Sequence, residues 1–355
     1  MQNHSLNPDP LIPPGLLSGI DHISFDTRAF NPPRNDIKRA CRFFSLGELK
    51  SFEKEKGIDI SHSNFFVFIK TDKGDYALKF YPKNAAQSIQ TEYALNRFLI
   101  QQAFATPPMH ANHKEQPFVP CHNRLAVCFS YIPGEPSWRH INNRDTIRQI
   151  NTALLLLKKF LVAAQNQIPL PKQDNLAITI KSCLRTSRTL APYPGQALIS
   201  AAIKKAFQAY QDFPSLFPRQ VIHNNASVTN FLVSKKDVYT LDLGHICEDY
   251  ALTDLANFIV SCLFLSVPQK TIKTVIQDYF SRHRLTKTRV PALIALMKIN
   301  LTKEYLKNIG REKNTDFSSC PQDIVSIYRP YLLKRIKSIQ SFLRPGALDS
   351  LISRS

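Results

Sequence analysis

Two β-type runs, Phe65–Lys70 and Asp75–Tyr81, flank the tetrad Thr71-Asp72-Lys73-Gly74. Gly74 can take a positive φ, so this stretch predicts a hairpin. Ala85–Phe104 follows with Ile89, Tyr93, Leu95 and Leu99 on a helical stripe, and Arg124–Tyr131 returns to a strand pattern that ends at Ile132-Pro133-Gly134-Glu135-Pro136. From there helical periodicity dominates, over Thr146–Ala164, Ala197–Phe213, Ala251–Leu265, Thr271–Arg284, Val290–Lys307 and Asp323–Leu343, the last expected to kink or split at Pro330. One β-type island interrupts the helices, made of Arg219–Ile222, Phe231–Val233 and Val238–Leu243. Cys41–Glu55 reads as a strand or short helix opening the folded part, and the Pro- and Asn-rich Met1–Arg34 shows no sustained period. The expected organisation is α+β and two-lobed: a flexible arm over 1–40, a β-rich lobe over 41–132 and a mainly helical lobe over 133–355. Such a layout leaves a cleft for ligands.

Composition narrows the class. Hydrophobic residues make up 43% of the 355, enough for a sizeable core. The longest apolar stretch, near Leu255–Val267, is broken by Asn257 and Ser261 and is too short to span a bilayer. Met1–Asn31 lacks a basic segment followed by an apolar core, so no signal peptide is expected and the protein is placed in the cytoplasm. The seven cysteines, Cys41, Cys121, Cys128, Cys183, Cys247, Cys262 and Cys320, are odd in number and widely spaced, which argues against a disulfide framework or a zinc site. A net charge of +19 favours anionic partners. Nucleic acid is allowed by that charge, but the basic residues are dispersed and read as a solvated surface; the same holds for Lys334, Arg335 and Lys337 on the late helix Tyr331–Leu343.

The chemistry concentrates in the β island. An apolar strand enters the polar loop His223-Asn224-Asn225-Ala226-Ser227-Val228-Thr229-Asn230, another leaves it, and Thr240-Leu241-Asp242-Leu243-Gly244 follows. A carboxylate at a strand end, with an amide oxygen on the preceding loop, suits a hard cation such as Mg²⁺, which takes few protein oxygens and fills its shell with water and phosphate. Asp242 and Asn230 would supply those oxygens; taken singly, each also reads as an ordinary turn residue.

This segment resembles the catalytic and metal loops of the aminoglycoside phosphotransferase and choline kinase superfamily, H-G-D-x-x-x-x-N followed by a strand bearing an aspartate. The pattern falls on His223, Asn225, Asn230 and Asp242, and Asp254-Leu255-Ala256 matches the D-L-A that opens a helix beneath the site. The interval from Asp242 to Asp254 is similar to that of bacterial homoserine kinases. In the first lobe Tyr76-Ala77-Leu78-Lys79-Phe80 resembles the V-A-I-K strand, and Gly57–Val67 the first hairpin. The resemblance implies a protein-kinase-like fold, ATP and Mg²⁺ as cofactors, Lys79 on the nucleotide phosphates, Glu92 as its partner, and Ser61 and Ser63 in the phosphate loop.

Two departures stand out. The loop Ile60-Ser61-His62-Ser63-Asn64 has no glycine, so Ser61 and Ser63 hydroxyls would replace some backbone contacts to phosphate. Asn225 stands where the family has its aspartate; an amide can orient a substrate hydroxyl but cannot take its proton. The expected function is ATP-dependent phosphorylation of a small-molecule hydroxyl, with Asn225 and His223 at the catalytic position. The alternative is a catalytically impaired pseudokinase that binds nucleotide and acts through a partner, and a third class is a basic nucleic-acid-binding protein on a borrowed fold. His245 and His62 are secondary pocket candidates, and Trp138 is assigned to packing.

Overall fold

The structure is a computed structural model that describes residues 32–54, 65–140, 143–170, 175–216, 219–250, 252–265, 267–282, 289–314, 322–344 and 346–352. The chain divides into two units, Met1–Arg97 with Pro107–Pro133 and Phe98–Thr106 with Gly134–Ser355.

In the first unit helix α1 (Arg34–Phe43) precedes strands β1 (Leu49–Lys54), β2 (Phe65–Thr71) and β3 (Asp75–Pro82). Helix α2 (Ala86–Gln101) comes next, then β4 (Met109–His110), β5 (Val119–Cys121) and β6 (Arg124–Ser130). The sheet runs β1-β2-β3-β6-β4, with β5 also on β6, and every pairing is antiparallel. Helix α1 starts ahead of Cys41, where the sequence pattern opened the folded part. Ile37, Ala40 and Cys41 lie on one helical stripe and all three are buried, so this turn belongs to the core. At the β2–β3 turn the Thr71 N–H reaches the Gly74 carbonyl at 2.9 Å, with Gly74 at φ +149° as the hairpin reading required.

Strand β3 is buried on both faces, and period-two alternation sorts its side chains. Leu78 and Phe80 join a cluster with Ile37, Ala40, Val67, Ile69, Ala126 and Cys128. Tyr81 joins another with Ile89, Met109, Leu125 and Val127. Fully burying each of Leu78 and Phe80 is worth about 1.5–3 kcal/mol, which fixes the register Phe66 opposite Lys79 opposite Val127.

The second unit holds β7 (Glu135–Pro136), α3 (Arg144–Ala164), α4 (Asn175–Leu190), α5 (Gln196–Leu216), β8 (Arg219–Ile222), β9 (Phe231–Val233), β10 (Val238–Thr240) and β11 (Cys247–Tyr250). It ends in α6 (Thr253–Phe264), α7 (Gln269–Arg282), α8 (Val290–Asn314), α9 (Gln322–Leu343) and α10 (Ala347–Ile352). Helix α8 packs against α4, α5, α6 and α9, and its Leu293, Met297, Leu301 and Tyr305, spaced four apart, are all fully buried. Helix α9 runs unsplit through Pro330. Helix α4 had no counterpart in the sequence reading. Its stripe of Leu176, Ile180, Cys183 and Ser187 is buried, but five Ser and Thr residues hide it among weak helix formers. The strand expected over Val238–Leu243 stops at Thr240, because Asp242 takes the left-handed conformation, φ 57° and ψ 58°.

Candidate active site

Lys79 and Glu92, both in the first unit, are each 3% exposed. The Lys79 ammonium sits 4.6 Å from the Tyr81 ring centroid and 5.6 Å from that of Phe66. The Tyr81 hydroxyl donates to Glu92 Oε2 at 2.8 Å. Tyr81 therefore touches both members of the proposed pair, the cation by its ring face and the anion by its hydroxyl. Sequence reasoning missed it, although its place two residues after Lys79 on a strand puts the two on one face. Buried charges of this kind persist where they are paired and have a polar task. Ser61, Ser63 and His62 lie outside the described residues, as does the side chain of Trp138.

In the second unit β8 pairs with β11, and β9 joins β7 and β10 in a three-stranded sheet. The loop between β8 and β9 is held from three sides. Below it, Asp254 in the first turn of α6 takes the His223 N–H on Oδ2 and the Asn224 N–H on Oδ1, both at 2.8 Å. Asn224 stands where the resembled loop has glycine and adopts φ 60°, a region asparagine tolerates better than other non-glycine residues. Its carbonyl accepts from Asn257 Nδ2 at 3.3 Å, and Asn257 Oδ1 accepts from Asn300 Nδ2 at 2.7 Å. A chain of amides thus runs from α8 through α6 to the loop.

Burial raises the Asp254 carboxyl pKa; the His223 ring, the two backbone N–H groups and the Lys158 charge oppose it. Lys158 on α3 is itself lowered by burial, with Asp254 pulling the other way.

His223, fully buried, ties the loop to the next strand. Its Nε2 contacts the Leu241 carbonyl at 3.0 Å, and its Nδ1 receives the Asn225 N–H at 3.3 Å. A carbonyl needs a donor, so Nε2 turns its hydrogen to Leu241, while Nδ1 faces the Asn225 N–H. Both His223 ring nitrogens are thus occupied by backbone groups.

The Asn225 carbonyl accepts from the Ser227 N–H and from Asn230 Nδ2, each at 2.7 Å. The Leu241 N–H closes onto the Asn230 carbonyl at 2.9 Å, which brings Asn230 beside Asp242. With its nitrogen committed, the Asn230 amide presents Oδ1 as the atom able to meet a cation. Asn225 Nδ2 donates to Asp242 Oδ2 at 3.1 Å, and His245 Nε2 lies 3.5 Å from the same oxygen. The Asn225 amide plane is thereby oriented, with Oδ1 as the acceptor opposite that nitrogen. One carboxylate and one amide oxygen suit Mg²⁺, whose remaining ligands are phosphate and water. Among the described residues no cluster of three or more His, Cys, Asp or Glu forms a larger metal site.

The sequence profile of the phosphotransferase enzyme family, APH, matches residues 55–287, from ahead of β2 to beyond α7. The chain belongs to the phosphotransferase enzyme family. By sequence, no curated protein matches it. Solved structures of this fold do. Amicoumacin kinase hAmiN, in complex with AMP-PNP, Ca²⁺ and Ami, aligns with TM-score 0.66 at 12% identity over 90% of this chain and 96% of that one. Spectinomycin phosphotransferase, in complex with ADP and spectinomycin, aligns with TM-score 0.61 at 11% identity over 91% and 98%. A choline/ethanolamine kinase family protein from Mesorhizobium loti gives TM-score 0.52 at 15% identity over 81% and 88%. The α+β architecture, β-sheet region first and helical region second, is the one these solved structures share. At such identities the likeness is one of fold.

The described cysteines are buried and form no disulfide, and Cys320 lies outside the described residues. Among the described residues no helix is long and apolar enough to cross a membrane.

Proposed function

We propose that this phosphotransferase moves the γ-phosphoryl group of ATP to a hydroxyl of a small molecule, with Mg²⁺ held by Asn230 Oδ1 and the Asp242 carboxylate. The observation that carries the reading is the closed loop of contacts His223–Leu241, Asn225–Asp242 and Asn230–Asn225, which commits the Asn225 and Asn230 side-chain nitrogens and leaves Oδ1 of each amide as its acceptor. The nucleotides and acceptors named with amicoumacin kinase and spectinomycin phosphotransferase support a nucleotide and a small hydroxyl compound here. Mg²⁺, when bound, neutralises charge on the β and γ phosphates. Lys79, over the Tyr81 ring whose hydroxyl binds Glu92, is assigned to the α and β phosphates.

Asn225 Oδ1 orients the acceptor hydroxyl but takes no proton. A general base contributes about 10²–10⁴-fold, whereas most of phosphoryl transfer is positioning and charge neutralisation. Slow turnover is the consequence. The test is multiple-turnover conversion of ATP to ADP with Mg²⁺ and a panel of aminoglycosides and amino alcohols. Turnover that Asp242→Ala abolishes supports the proposal. Tight Mg·ATP binding without turnover, in the parent and in Asn225→Asp alike, would replace it with the pseudokinase reading.

A further inference from the structure

Helices α4 and α5 are joined by residues 191–195, a connection short enough to make them antiparallel neighbours, and they pack together. Across 175–211 there is no Asp or Glu, while Lys181, Arg185, Arg188, Lys204 and Lys205 are all present and all exposed. An ordinary solvated face mixes both signs. Here, among the described residues, none of the five meets a carboxylate. The wider unit has the same bias: Phe98–Thr106 with Gly134–Ser355 contains 31 Lys and Arg against 15 Asp and Glu, leaving it 16 of the chain's 19 excess charges.

The placement is also ordered. Ile178, Lys181, Arg185 and Arg188 follow one another at spacings of three and four, a single line along α4. The antiparallel turn sets the start of α4 toward the end of α5, the end that carries Ile178 on one helix and Phe207 on the other. Ile178 is 54% exposed and Phe207 46%. The hairpin thus presents two large apolar side chains at one end and five cations along its length.

We propose that this face of the α4–α5 hairpin docks on a membrane surface bearing anionic lipid headgroups. Cations on such a face are drawn to acidic lipid, and apolar side chains beside them bury at the headgroup boundary. Nucleic acid would share the charges and stack on Phe207, but the more exposed Ile178 is aliphatic, which suits a lipid boundary better than a base. The proposal is independent of the catalytic reading, since no residue of the site takes part.

The test is flotation of the full chain with vesicles of phosphatidylcholine alone and of phosphatidylcholine containing phosphatidylserine, beside a single-stranded RNA. The parent should float only with the anionic vesicles and should be released as salt rises. The triple change Lys181→Glu, Arg185→Glu, Arg188→Glu should weaken that binding by at least about tenfold. Lys204→Glu with Lys205→Glu, on the other helix, is a second charge variant should the triple change unfold. Phe207→Ser should weaken binding while leaving its dependence on salt in place. Absence of binding to the anionic vesicles, equal binding to neutral ones, folded charge variants that bind like the parent, or RNA as the sole ligand the variants lose would each overturn it.

Discussion

Asn225→Asp places a second carboxylate against Asp242. In the parent the Asn225 amide donates to Asp242 Oδ2 at 3.1 Å; in the variant that donor becomes an acceptor, and like charges face each other. Hydrogen bonds to charged groups are worth about 1.5–3 kcal/mol, so in chelator the variant should melt below the parent by an amount of that order. Mg²⁺ should abolish the difference, because a cation offsets the repulsion between the two carboxylates. Thermal melts of both proteins with and without Mg²⁺ check this; identical melting in chelator would mean the Asn225–Asp242 contact contributes nothing. In the first unit, Lys79→Met and Glu92→Gln should each raise KM for ATP, and together they should cost less than the product of the two, because both act through the contact with Tyr81. Steady-state kinetics of the double-mutant cycle would show full independence if the residues were not coupled.

Among the elements, α6 matters most to the site because Asp254 supports two consecutive backbone N–H groups from its first turn. Asp254→Ala leaves both donors without that acceptor, at about 1–3 kcal/mol each. Chemical denaturation should show a loss of that order, and Asn224→Gly, which only relaxes a left-handed backbone, should show little. A second element-scale expectation concerns β4. His110 pairs with Ser130 Oγ at 2.9 Å, and burial lowers its pKa below the ordinary 6.5. The unfolded chain then binds the proton first, so stability falls as pH drops below about 6.5. Comparing the parent with His110→Gln across pH should show this share of the loss disappear in the variant; parallel curves would contradict it.

These elements also show what can be read from sequence. The hairpin of β2 and β3 was legible because alternation and Gly74 agree with the register, and the loop from His223 to Asn230 because strand patterns bracket it. Strand β11 was not: Glu248 and Asp249 interrupt its apolar pattern, and only pairing with β8 makes it a strand. Tyr81 and the Asn257–Asn300 link were invisible for a different reason. The Asn257–Asn300 link is set by tertiary packing alone, and Tyr81, although it shares a strand face with Lys79, gains its role only where its hydroxyl meets Glu92.

For the molecule as a whole, the division between a β-sheet unit and a helical unit puts Lys79 and Glu92 in one and the loop with Asp242 in the other. The net charge of +19 should draw an anionic nucleotide, so Mg·ATP affinity should decline as ionic strength rises. The most direct test of a working phosphotransferase needs no knowledge of the acceptor, since water can stand in slowly for it. It is the Mg²⁺-dependent formation of ADP from ATP by the parent, Asp242→Ala and Asn225→Asp measured side by side. The structure predicts slow turnover in the parent, none in Asp242→Ala and faster turnover in Asn225→Asp. No ADP from the parent or from Asn225→Asp, with both binding Mg·ATP, would contradict it.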